Sequence, residues 1–212
     1  LYSLYRPVAE DNKPMIYSMI NYFQKLYTKF AILIFACGIA VIPFLKYIIN
    51  SNLPQTDLII FYILFLTNTV VSYFIGHKVA LLFAYQEQRI QKLVTLTTNF
   101  ILQFIYIIVL IVWQNYYIYI VATIITTLLN NFILGRICKR RHKDVFVNQK
   151  LIIFDKKKIM KNVVSTFLYK IGAVTISNTD NILISVLIST ATVGLYYNYY
   201  TVIGVVQGFI AI

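Results

Sequence analysis

Apolar residues run through this chain in long, near-continuous blocks separated by short polar stretches, without the period-two alternation of a membrane barrel. About 20 apolar residues at 1.5 Å each cross a hydrocarbon core of ~30 Å. The pattern therefore predicts spanning helices near residues 29–49, 58–75, 93–113, 118–135, 163–189 and 195–212. The expected fold class is all-α, a polytopic transmembrane helical protein. Residues 1–14, with Pro7, Glu10, Asp11 and Pro14, read as a polar loop. From Met15 the spacing of Ile16, Met19, Ile20 and Phe23 predicts a helix feeding the first span, and Pro43 predicts a kink near its far end. Trp113 closes the third span, where an interfacial indole is expected.

Composition sharpens the class. The chain is 59% hydrophobic and only 12% charged, with mean hydropathy +0.73, against about 25% charged in soluble domains. The net charge of +12 has the sign expected of a nucleic-acid binder, but its placement between apolar blocks points to span orientation and anionic membrane lipids instead. The segments 1–29, 76–92 and 136–161 hold four, three and ten Lys/Arg, 17 of the 19. If six spans alternate, these segments share one side, and the positive-inside rule makes it the cytoplasm. The opposite segments, SNLPQTD, QNYY and TATVG, are too short for a catalytic domain. The chain starts at Leu1 and stops inside the apolar run GVVQGFIAI, so it is expected to be an internal segment of a longer protein.

The candidate chemistry lies in the fifth block. KIGAVTISNTDNILIS (170–185) sets Asp180 and Asn181 deep in an apolar helix, where a carboxylate costs from ~3 to above 10 kcal/mol. On a span of 163–189, Asp180 would be roughly 14 Å from the outer end, near the midplane. Lys170 can snorkel toward the inner end, and Asp180 cannot. At 100° per residue, Asn162, Thr166, Tyr169, Lys170, Ser177, Asp180 and Asn181 share an arc of about 120°. Lys170 and Asp180 are ten residues and about 15 Å apart, too far to pair. The stripe is then either buried polar glue between helices or the lining of a cavity.

Weaker signals are Asn68, Asn99, Gln103, Asn130 and Asn131, read as hydrogen bonds between helices. His77 and His142 have no carboxylate nearby in sequence and read as solvated. Cys37 and Cys138 have neither metal spacing nor a neighbouring thiol, and read as unpaired. No GxxxxGKS, HExxH or GxSxG occurs, so no enzyme is indicated, and no metal or cofactor is expected.

TDNILIS (179–185), VGLYYNYY (193–200) and the upstream FDKKKIMKNV together resemble the middle of the Wzx-type polysaccharide flippases. These belong to the superfamily that also holds the multidrug MATE antiporters. LYRPVAEDNKPMI (4–16) and SYFIGHKVALLFAYQEQ (72–88) resemble two cytoplasmic connectors of that family, in the right order. The resemblance implies a fold of two six-helix lobes around a central cavity. Residues 1–135 would end the first lobe, 136–162 would be a basic linker, and 163–212 would open the second. The implied cargo is a polyprenyl-diphosphate-linked oligosaccharide, moved to the outer leaflet of a bacterial plasma membrane. Lys170 would favour the diphosphate. Tyr169, Ser177, Asn178 and Asn181 would contact sugar, and Asp180 would bind a coupling proton or cation. An acidic cavity would fit the alternative, a cation-coupled drug antiporter.

Overall fold

The computed structural model of the chain describes residues 2–49, 53–112, 115–147 and 151–210. Among these residues all regular structure is helical. Four stretches are long and apolar enough to cross a membrane: Lys13–Ile48, Gln55–Tyr73, Gln88–Val109 and Tyr116–Arg141. Large apolar side chains such as Ile32, Leu96 and Phe100 are more than 60% exposed on them. An apolar surface of that extent is solvated by lipid, and the chain is an all-α polytopic membrane protein.

The chain divides into two compact units, Leu1–Ala40 with Ile60–Asp155 and Val41–Ile59 with Lys156–Ile212. In the first, α1 (Tyr2–Ala9) replaces the expected loop. Its formation is explained by Leu4, which is fully buried, and by packing of α1 on α5 (Gly76–Ala84). Pro7 lies within α1 and donates no amide to its ladder. Asp11 turns the chain in the left-handed region at φ 46°. Asn12 then caps α2 (Lys13–Val41), its Oδ1 accepting from the Met15 amide at 3.1 Å.

Gly38 of α2 lets α4 (Gln55–Tyr73) approach closely, since a Cβ there would meet Leu66 at 2.5 Å. The Tyr62 hydroxyl donates to the Gly38 carbonyl at 2.9 Å, closing the same contact. Small residues at such crossings are a membrane-helix device. Next, α6 (Gln88–Val112) and α7 (Tyr116–Arg141) form the most extensive helix pair. Asn115 caps α7 by accepting from the Tyr117 amide at 2.9 Å. Trp113 lies outside the described residues.

The three basic segments fold together. Lys13 reaches Asp144 at 3.3 Å, beside α8 (Lys143–Phe146). Glu87 reaches Arg141 and His142. The Ile152 amide donates to Ser18 Oγ at 2.8 Å. At the other ends of their helices, Phe61 packs edge-on to Tyr116 with centroids 5.0 Å apart. The segments that positive-inside reasoning assigned to one side therefore meet at one end of this unit.

The second unit contains the kink expected at Pro43. There α2 gives way to a 3-10 turn, Ile42–Phe44, followed by α3 (Leu45–Ile48). Proline cannot supply the amide that would continue the α-helical ladder. Then α9 (Lys156–Leu187) runs for 32 residues, about 48 Å. It turns directly into α10 (Thr190–Ile210) and packs on it. Ser189 caps α10, its Oγ accepting from the Thr192 amide at 3.2 Å. Ser185 Oγ donates to the Ile48 carbonyl at 3.0 Å, tying α3 to α9.

Candidate functional site

All eight residues singled out in the fifth block lie on α9, which is unbroken from Lys156 to Leu187. Continuity of the helix upholds the separation of Lys170 from Asp180, about 15 Å. Tyr169 is 77% exposed, and Lys170, Asn178 and Asp180 are also exposed. Neither Lys170 nor Asp180 enters an ion pair among the described residues. Asn181 is half-buried, and its Oδ1 is shielded without a hydrogen-bond donor. The side chain of Ser177 lies outside the described residues, as does that of Lys158.

Helical phase separates these residues further. Tyr169, Asp180 and Asn181 fall within the polar arc, whereas Asn178 lies about 60° beyond its edge. The Asn178 amide donates back to the Val174 carbonyl at 3.0 Å, so part of its bonding capacity is already used. The end of α9 at Leu187 also moves the reference for depth. Asp180 is seven residues, about 10 Å, inside that end, shallower than the 14 Å expected from a span reaching Ser189. An exposed carboxylate, an exposed ammonium and an aromatic ring on one helix can bind a zwitterionic or glycosylated ligand. They can equally exchange protons or cations with water.

A second polar constellation, in the first unit, was not anticipated. His142 is not solvated: its Nε2 lies 2.9 Å from Glu87 Oε2, and its ring stacks on Tyr85 with centroids 4.1 Å apart. The Arg141 Nε donates to Glu87 Oε1 at 3.0 Å. Burial pushes the Glu87 carboxyl up, but the hydrogen bonds from His142 and Arg141 outweigh it and hold the group below its ordinary 4.5. His77 is not solvated either, being 5% exposed with Nδ1 unpartnered. Burial first, and the charge of Lys78 second, depress its pKa from 6.5 to about 4.

The amides expected to join helices divide into two groups. The Asn131 Nδ2 donates to the Val71 carbonyl at 2.9 Å, and Asn130 Oδ1 stands 3.5 Å from Thr98 Oγ1. Asn99 and Gln103 are instead exposed, and Asn68 Oδ1 is shielded with no partner. Cys37 and Cys138 are both free. No group of three metal-ligating side chains occurs among the described residues. No family model, curated protein or solved structure matches the chain.

Proposed function

We propose that the chain is part of a membrane transporter that flips polyprenyl-diphosphate-linked oligosaccharide from the cytoplasmic to the outer leaflet. The observation that carries this reading is the exposed set Tyr169, Lys170 and Asp180 on α9, with neither Lys170 nor Asp180 in an ion pair among the described residues. A carboxylate without a partner belongs in a water-filled path, because it is not stable against lipid and is too short to snorkel. The resemblance of TDNILIS, VGLYYNYY and the basic linker to polysaccharide flippases supplies the cargo. Lys170 attracts the diphosphate and Tyr169 stacks on a sugar face, with Asn181 beside them on the same arc of α9. Asp180 binds the coupling proton or cation, and rocking of two lobes exposes the site alternately to each side. A bacterial plasma membrane, where such lipid-linked sugars are made, is the setting.

Purified protein in proteoliposomes loaded with a fluorescent undecaprenyl-diphosphate oligosaccharide tests the proposal. Flipping is read as exposure of the label to an impermeant quencher. The expected result is flipping well above that of empty vesicles, reduced by Lys170→Ala and Tyr169→Ala. Rates no higher than the vesicle background overturn the cargo assignment. The exposed Asp180 also favours the antiporter reading, which the same vesicles test with a cationic dye.

A further inference from the structure

At the basic end of the first unit, α5 packs on α7, and the Cys138 thiol donates to the Lys78 carbonyl at 3.6 Å. That contact sets the Lys78 side chain against α7. A Cβ on Gly135 would lie 3.0 Å from the Lys78 Nζ. Gly135 is buried, so its missing side chain leaves the space in which the ammonium sits. Lys139 is four residues further on, on the same face of α7 and exposed. Two helices thus bring two ammonium-bearing side chains to one place.

Neither Lys78 nor Lys139 is in an ion pair among the described residues. Among the described residues, Glu87 pairs with Arg141 and His142, Asp11 and Asp144 with Lys13, and Glu10 with Arg6. The nearby Arg136 guanidinium sits over the Phe132 ring at 4.8 Å. Partial burial first, and repulsion from Lys139 second, lower the Lys78 pKa. Cations held side by side under partial burial are unfavourable until an anion joins them.

Depth indicates which anion. Counting from Tyr116, about 20 residues of α7 use up a ~30 Å hydrocarbon core, ending at Gly135. The pair therefore stands at the level of the headgroups. Leu128 and Phe132, one to two turns back toward the core on the same face, are 50% and 59% exposed and offer a surface to acyl chains.

We propose that Lys78 and Lys139, with Gly135 between them, form a binding site for the phosphate of an anionic phospholipid headgroup. The site uses none of the residues of the α9 stripe, and it stands whether or not the chain flips oligosaccharide. Detergent-solubilised protein titrated with short-chain phosphatidylglycerol or phosphatidylcholine, and followed by native mass spectrometry, tests it. Phosphatidylglycerol should bind in preference, and Lys78→Gln and Lys139→Gln should each weaken it about fivefold, the effect of one surface cation. Arg140→Gln, a nearby exposed charge, should change it less than twofold. Circular dichroism of each variant confirms that the helices remain. Equal losses in Lys78→Gln and Arg140→Gln overturn the site in favour of a diffuse basic surface. Equal binding of the two lipids overturns the anion. Displacement of phosphatidylglycerol by millimolar inorganic phosphate overturns the lipid in favour of a free phosphate.

Discussion

The basic end of the first unit and the polar stripe of α9 hold similar residue types in opposite states. At the basic end, Glu87 is 20% exposed with partners on both oxygens, and His142 lies between it and Tyr85. Along α9, Asp180 and Lys170 are exposed and without an ion pair among the described residues, and Tyr169 is exposed. The glycines repeat the contrast. Gly38 and Gly135 each face a side chain from another helix, whereas Gly172, Gly194 and Gly204 have no atom within 4 Å of a Cβ position. Polar groups that satisfy one another hold a structure together. Polar groups left open on an apolar helix await something that is not part of this chain's own packing.

If this contrast is real, substitutions should sort by region. The largest effect on stability is expected from Leu81→Ala, in α5 and fully buried. Its loss should cost about 3 kcal/mol, measured by unfolding in mixed micelles. Next comes acid. The folded His77 has a pKa of about 4 against an ordinary 6.5, so the unfolded state takes up the proton first. Stability from this group is complete above pH 6.5 and falls as pH drops toward 4. The loss should be roughly 2 kcal/mol at pH 5. Unfolding midpoints at pH 7.5 and 5 measure it, and His77→Gln should remove the difference across that window.

Glu87→Gln should cost about 1 kcal/mol, since its pairs are partly exposed. Its carboxyl is held below 4.5, so this contribution persists above that value and is lost as pH falls through the lower folded value. Acid unfolding below pH 4.5 should therefore be less steep in the variant than in the wild type. Tyr169→Ala and Lys170→Ala should change stability by less than ~0.5 kcal/mol. A stripe variant that destabilises as much as Leu81→Ala would erase the contrast, because it would show the stripe to be packed.

Local pattern was enough for most of the helices. Apolar blocks of about 20 residues and Pro43 carry their own geometry, and the lysine and arginine counts already grouped the segments that meet. Two kinds of information were missing. The helix α1 depends on packing against α5, across more than 70 residues of sequence, so its polar composition read as a loop. His142 finds Glu87 from 55 positions away, and no local spacing announces such a pair. For α9 the reverse holds. Helical phase alone set out the stripe and excluded a Lys170–Asp180 pair, because both facts belong to one helix. It left Asn178 in the site, although phase and its bond to Val174 set that residue apart.

The central claim is that the open groups of α9 serve transport while the closed groups of the basic end serve structure. Asp180→Asn and Glu87→Gln, compared in the same flipping assay at matched membrane abundance, test it most directly. Asp180→Asn should clearly reduce flipping with unchanged insertion, on the proposal that Asp180 binds the coupling proton or cation. Glu87→Gln should keep most of its flipping and lose stability instead. Wild-type flipping by Asp180→Asn would contradict the account.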